Sequence, residues 1–259
     1  MTETLQIHRL SELSGNDPKR MPTGFKDLDI AYGINRVCDE QGNEILWEVG
    51  MPRGRVTILA GAGGVGKSRL CMQIGMQMAK GDQYRSPLTV LYILNEDDPN
   101  SLATWVKRAE GDYDFFVVGS DNRESHKEAL IKTHADVVFI DSLTGLEGVN
   151  SPNVIREIMK DYKDLAIKHD CHIVLISHLN KAGAVKGNSD ITYYPDHTCE
   201  LRHLEAQKEA PDFSTRGMFY WKFTKNRGSA DGSTICFKHT ADGVDFVISH
   251  ITGYNDKVR

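Results

Sequence analysis

Val56-Thr57-Ile58-Leu59, an apolar run, enters the loop Gly61-Ala62-Gly63-Gly64-Val65-Gly66 and leaves it through Lys67-Ser68-Arg69. In the segment that follows, Cys71, Ile74, Gly75 and Met78 recur at the spacing of one helix face. A strand, a glycine-rich loop and a helix in that order leave few folds open. Gly61, four residues, then Gly66-Lys67-Ser68 is the phosphate-loop spacing, in which small residues free backbone N–H groups to surround the β- and γ-phosphates of a nucleotide at a helix N-terminus. Gly61 to Arg69 are therefore the expected nucleotide-binding residues, with Lys67 reaching phosphate oxygens and Ser68 a ligand of Mg²⁺. A glycine turn that happens to contain Lys-Ser is the blander reading, and it does not account for the context on both sides.

The helix is expected to stop at Lys80-Gly81, and strands and helices alternate after it. That alternation predicts an α/β fold, a mainly parallel central sheet flanked by helices. Candidate strands are Thr89 to Leu94, Phe115 to Val118, Val137 to Ile140 and His172 to Ser177. Asp98-Pro99 reads as the start of one helix, with Leu102, Trp105, Val106 and Ala109 on one face before Gly111. Ser151-Pro152 starts another, striped by Ile155, Ile158, Met159, Tyr162, Leu165 and Ala166. Met218 to Phe223, Thr234 to Lys238 and Val244 to Ile248 are short β-rich runs split by glycine turns, which predict an antiparallel C-terminal extension of the sheet.

Toward the N-terminus, residues 1–20 read as a polar tail or docking arm, and residues 21–259 as a single domain. Pro22 to Gly33 suggests a short helix with Phe25 and Leu28 inward, and Asn35 to Glu48 a hairpin turning at Gln41-Gly42-Asn43. One phosphate loop and no internal repeat argue against a tandem arrangement. With 259 residues, 40% hydrophobic, the chain can bury one large core or two small ones. A formal charge of -5 excludes a uniformly basic surface, so contact with nucleic acid would have to come from local loops or the middle of an assembly. The five cysteines contain no Cys-x-x-Cys pair, which argues against a zinc ribbon or disulfide framework and fits a reducing cytoplasm. Without an apolar stretch of membrane-spanning length or a signal-peptide layout, a soluble, cytoplasmic protein is expected.

Three strand ends and one basic turn are candidates for chemistry. Val137 to Ile140 delivers Asp141 to a C-terminal strand end, where ligands sit in open α/β sheets, and this makes Asp141 the candidate Mg²⁺ partner. Thr89 to Leu94 leads to Glu96, which can polarise an attacking water, while Asp98 is assigned to capping the next helix. His178 ends a third strand and could sense the γ-phosphate, although a satisfied strand-end histidine is the simpler reading of the residue alone. The loop Leu179 to Tyr193 after it contains Lys181 and Lys186 and is expected to touch a polymer. Lys225 and Arg227, at i and i+2 of an extended segment, could meet one phosphate; from charge alone a solvated basic turn is the preferred reading.

In that order, TGFKDLD, MPRGRVTILAGAGGVGKSRL, LYILNEDD, ADVVFIDSL, HIVLISHLNKAGAVKG and TKNRGS resemble the RecA-fold ATPase core shared by DnaB-type helicases and RadA/Sms, over about residues 22 to 250. The resemblance implies a RecA-like P-loop NTPase that uses ATP and Mg²⁺ to act as a motor, helicase or translocase, on single-stranded DNA in replication, recombination or repair. It further implies a homo-oligomer, usually a ring of six, with nucleotide at the subunit interfaces. Lys67 and Ser68 match the Walker A positions, Asp141 Walker B and Glu96 the catalytic glutamate. Lys225 and Arg227 match the basic pair that reaches a neighbour's γ-phosphate in trans, and the loops near 145–153 and 181–190 match those facing DNA. The chain departs from RadA in having neither its four-cysteine zinc motif nor its protease-like domain. It also goes from Lys-Asn-Arg straight to Gly228-Ser229 and carries the 35–48 insertion. Its acidic balance keeps a second class open, a KaiC-like nucleotide-gated regulatory or assembly ATPase acting on a protein partner.

Overall fold

The computed structural model describes residues 18–38, 41, 44–96, 99–102, 111–147, 149, 151–179, 191, 193–203, 218–229, 231–239 and 246–252. β1 (Arg20–Met21) begins at the last residue of the segment read as a tail and leads into α1 (Lys26–Tyr32). Phe25 and Leu28 are buried as their spacing suggests, and Gly33 ends the helix. β2 (Ile34–Cys38) and β3 (Glu44–Val49) pair antiparallel as the expected hairpin, whose turn residues Gly42 and Asn43 lie outside the described residues. β4 (Met51–Pro52) returns to pair with β1.

β5 (Arg55–Gly61) is buried from Val56 onward, and α2 (Lys67–Lys80) follows the glycine loop and ends at Gly81. Its Cys71, Ile74, Gly75 and Met78 all face inward. β6 (Val90–Leu94) is wholly buried. Beyond it Pro99–Leu102 forms a single 3-10 turn; Asp98 and the expected stripe of Trp105, Val106 and Ala109 lie outside the described residues. Next come β7 (Phe115–Gly119), α3 (Arg123–Thr133), β8 (Val137–Asp141) and α4 (Pro152–Lys168), which starts at Pro152 after Ser151 and buries Ile155, Ile158, Met159, Tyr162 and Ala166. β9 (His172–His178), β10 (His197–His203), β11 (Met218–Asn226), β12 (Thr234–His239) and β13 (Phe246–Thr252) complete the chain.

Nine strands join in one sheet, in the order β13-β12-β11-β10-β5-β9-β8-β6-β7. From β10 to β7 every neighbour is parallel, and from β10 to β13 every neighbour is antiparallel, so the C-terminal extension is as the sequence suggests. Successive strand residues point to opposite faces, and the two cores divide accordingly. Leu59, Tyr92, Phe139 and Val174 pack with α1 and α2, while Ile58, Leu91, Val138 and Ile173 pack with α3 and α4.

Beyond the two-residue strands β1 and β4 and the short 3-10 turns, two elements are absent from the sequence expectation. β10 reads His-Thr-Cys-Glu-Leu-Arg-His, without an apolar run, and its place comes from β5 on one side and β11 on the other. α3 buries only His126 and Leu130, so it leaves almost no periodic trace.

Beneath α1 the sheet encloses a polar chain. His172 Nδ1 lies 2.7 Å from Pro52 O, and His197 Nε2 lies 3.2 Å from Arg227 O. Carbonyls only accept, so these nitrogens carry the ring protons and the opposite nitrogens face the Thr57 hydroxyl, at 2.9 Å and 3.4 Å. The Tyr32 hydroxyl donates to Thr57 Oγ1 at 3.4 Å. Burial pushes His172 down to about 4 and His197 to about 3, in both cases against the attraction of Asp196 and with Arg20 adding to the fall. Arg55 also pushes His172 down, and each ring's proximity to the other adds to the depression of His197.

Both rings are neutral in the fold but would protonate near the ordinary value of 6.5 once unfolded. Stability present above that value is thus lost as pH falls toward 4, at about 1.4 kcal/mol per pH unit per group. Asp29 opposes this with one proton, because burial raises it to about 6. Two histidines outweigh it. Calorimetry should show the melting temperature falling from pH 7 to pH 4.5, with a shallower slope in His172→Gln even though that variant starts lower at pH 7.

Candidate nucleotide site

Parallel pairing sets the site at one edge of the sheet. Gly61 is opposite His178, Asp141 opposite Ile176, and Leu94 opposite Asp141, so β5, β6, β8 and β9 all end there. Ligands of open α/β sheets sit at this carboxyl edge. Gly66, in the left-handed region at φ 95°, turns the loop into α2. Gly61 is required for close approach: a Cβ there would lie 2.6 Å from Leu201 O and 2.9 Å from Val65 Cγ1. A Cβ on Gly63 would meet nothing within 4 Å, so the loop is closed against the sheet at its first glycine and open at its centre.

Lys67, nearly buried, donates from Nζ to the Gly61 and Ala62 carbonyls at 2.9 Å each and lies 3.5 Å from His178 Nδ1. Burial lowers its pKa, against the raising effect of Asp141 and Glu96. Ser68 hydrogen-bonds the Asp141 carboxylate through its side chain, and the Tyr92 hydroxyl donates to Asp141 Oδ2 at 2.9 Å. Burial nevertheless pushes Asp141 above the usual carboxylate range, helped by the charge of Glu96. A half-buried carboxylate beside a serine hydroxyl, short of compensating charge, is a hard oxygen donor set, and Ser68 and Asp141 therefore fit a bound Mg²⁺.

Glu96 stands at the same edge, its Oε2 3.8 Å from His178 Nε2. Burial pushes its carboxyl up, but hydrogen bonds from Ser142 and Thr144 and the neighbouring His178 outweigh that and hold it below the usual range. Lys67, Ser68, Glu96, Asp141 and His178 thus come together around one loop. Ala62, Gly64, Val65 and Arg69 complete the loop and the first turn of α2.

Lys225 and Arg227 are elsewhere. Asn226 is opposite His197, and His197 is opposite Thr57, so the basic pair lies at the amino edge of the sheet, at least ~13 Å of strand from Gly61. Lys225 Nζ donates to Tyr193 O at 2.7 Å. Arg227 donates its backbone N–H to Asp196 O at 3.1 Å and its guanidinium to Asp196 Oδ1 at 3.4 Å. The Asp196 side chain is fully buried, with Lys163 at 3.3 Å and Arg55 at 4.0 Å, whereas that of Arg227 is 55% exposed. Of the two expected polymer-facing loops, 181–190 lies outside the described residues, and 145–153 begins in the 3-10 turn Leu143–Gly145 that follows β8.

Sequence reasoning missed Tyr92, Asn95, Ser142 and Thr144. Tyr92 was legible in principle, since alternation along β6 puts it on the same face as Leu59 and α2. The other three owe their roles to contacts between β6 and β8, which no local pattern announces.

Residues 41–184, more than half of the chain, match the family model described as AAA domain. Curated relatives include the DNA repair protein RadA of Streptococcus pyogenes serotype M6, 26% identical over 180 residues, which make up 65% of this chain and 38% of that protein. The DNA repair protein RadA of Aquifex aeolicus is 24% identical over 238 residues, 88% of this chain and 46% of that protein. That of Chlamydia trachomatis serovar D is 23% identical over 197 residues, 72% and 42% respectively. The chain thus spans less than half the length of these relatives.

The loop geometry separates two glycines that the motif treats alike. Gly61→Ala should cost about 1–3 kcal/mol through overpacking against Leu201 and Val65. Gly63→Ala should stay within about 0.5 kcal/mol of the parent. Denaturant melts of the two variants without nucleotide check the contrast.

Proposed function

This chain belongs to the AAA domain family and has a RecA-like P-loop NTPase core of the RadA and DnaB type, and on that premise we propose that it is an ATP-hydrolysing, DNA-dependent motor. Its work as a helicase or translocase would fall in replication, recombination or repair, in the cytoplasm. Residues 21–259 form one ATPase domain with residues 1–20 as an arm, and the working state is a homo-oligomer, a hexamer by analogy with the family. The observation that carries this reading is the meeting of Lys67, Ser68, Asp141 and Glu96 at one sheet edge, with Lys225 and Arg227 at the other.

Gly61 to Arg69 hold the triphosphate, with backbone N–H groups and the Lys67 ammonium on its oxygens. Ser68 and Asp141 would hold Mg²⁺, which when bound would neutralise charge on the β- and γ-phosphates. Glu96, ionised at neutral pH because its hydrogen bonds hold its pKa down, accepts a proton from the water that attacks the γ-phosphorus in line. The γ-phosphoryl passes to that water and ADP leaves. His178, between Lys67 and Glu96, senses the γ-phosphate and passes its presence to the loop after β9.

Lys225 and Arg227 cannot reach this chain's own phosphate loop from the opposite edge, so they act on a neighbour's γ-phosphate, stabilising charge in the transition state. DNA enters the reading through the RadA relatives and through the loops at 145–153 and 181–190. ATP turnover with and without single-stranded DNA tests the function: stimulation is expected, and its loss in Lys181→Glu with Lys186→Glu, since phosphate contacts dominate such binding. Turnover indifferent to DNA, together with ATP-dependent capture of a protein partner that survives those changes, would instead support a KaiC-like regulatory ATPase.

The trans arrangement makes its own prediction. Arg227→Ala should abolish turnover and spare ATP binding, and mixing it with Lys67→Ala subunits should partly restore activity at hybrid interfaces. Absence of rescue, with both variants still assembling, would count against a shared site.

A further inference from the structure

Two hydroxyls gather on one oxygen of the Glu96 carboxylate. Ser142 Oγ donates to Glu96 Oε1, and Thr144 Oγ1 donates to the same oxygen at 2.8 Å. The two hydroxyl oxygens also lie in contact, and with one proton each they can fill two of the three contacts of this triangle at a time. Oε2 is left facing His178. Ser142 is itself fixed by Asn95, which donates from Nδ2 to Ser142 O at 2.5 Å and accepts from Ser142 N at Oδ1, while the Asn95 backbone N–H donates to Asp141 O at 2.9 Å.

Gly145 closes the arrangement from the same segment. A Cβ there would stand 2.9 Å from Glu96 Cγ and 3.0 Å from Asn95 Oδ1, so the absence of a side chain lets the turn pack directly on both residues. Ser142 is 1% exposed, and Thr144 half-buried.

We propose that Ser142 and Thr144 are positioning residues for Glu96: they hold Oε1 so that Oε2 is the oxygen that meets the attacking water. The proposal rests on the reading of Glu96 as the water-orienting carboxylate. It extends that reading to the connection between β8 and α4, because the hydroxyls and Gly145 sit on the first turn of that connection. Whatever shifts the segment from 145 onward moves Glu96 with it, and hydrolysis is tied to the state of that loop. A charged acceptor gains more from such bonds than a neutral one, and a displacement of about 1 Å at the reacting centre costs up to about 100-fold in rate.

The test uses the full chain with ATP and Mg²⁺, reading kcat, affinity for a fluorescent ATP analogue and melting temperature side by side. Thr144→Val should lower kcat about 10-fold with affinity and melting temperature unchanged, and Thr144→Ser, which keeps the hydroxyl, should restore it. Gly145→Ala, acting from the other side of the same contact, should lower kcat in the same way. In a Glu96→Gln background Thr144→Val should add no further loss, because the two changes break one interaction.

Wild-type kcat in Thr144→Val overturns the proposal. So does a loss of kcat matched by losses of affinity and melting temperature that Thr144→Ser does not restore, the behaviour of a purely structural residue. Wild-type turnover in Glu96→Gln alone would instead remove the underlying reading of Glu96, a result seen without touching Thr144.

Discussion

The register of β5 between β9 and β10 is the constraint from which the rest of the molecule follows. Gly61 is opposite both His178 and Leu201, and the same parallel pairing carries across β9 to β8 and β6. A slip of one residue would turn Ile58 and Leu59 to each other's face, exchanging the two cores and moving the phosphate loop off the edge where Asp141 and Glu96 end. Burial on both faces prevents that slip. After such a slip the strand's side chains would still be buried but packed against the wrong core, at about 1–3 kcal/mol for each misfitted site. The loop then needs no separate scaffold: it is the continuation of the best-buried strand.

Much of this was legible from local sequence. β5, the glycine loop and α2 announce themselves because strand, turn and helix chemistry all lie within residues 55–80. The carboxylates of Asp141 and Glu96 could be assigned to strand ends because the runs before them are unbroken and apolar, the mark of strands buried on both faces. β10 and α3 were not legible, for opposite reasons. His197 is polar yet buried, since Thr57 of β5 and the Arg227 carbonyl after β11 take up its ring nitrogens, whereas α3 is a helix that buries too little to leave a pattern. The partners of Glu96 were hidden in the same way as β10. Ser142 and Thr144 reach it only because the Leu94–Asp141 register brings the ends of β6 and β8 together.

The two edges of the sheet differ in charge as well as in place. At the carboxyl edge Lys67 faces Asp141 and Glu96, two carboxylates against one ammonium, a balance suited to a metal ion. At the amino edge Arg55, Lys163 and Arg227 surround the buried carboxylate of Asp196, with Lys225 nearby, so this cluster carries more cations than carboxylates. In the proposed function one edge would hold nucleotide and metal, and the other would present the cations to a phosphate. A single chain cannot fold its amino edge onto its own carboxyl edge, so in the trans arrangement proposed above the two edges would complement each other between subunits. Asp196 meets Arg227 by backbone and side chain at once, so the cation is positioned by contacts within its own chain.

That composite site is the central claim, and dilution tests it most directly. ATP turnover per subunit should be measured across protein concentration beside the mass of the assembly by light scattering. If the amino edge of one subunit completes the site of the next, turnover per subunit falls in step with dissociation and vanishes in the monomer. Turnover per subunit that stays constant into the monomeric range would contradict the account.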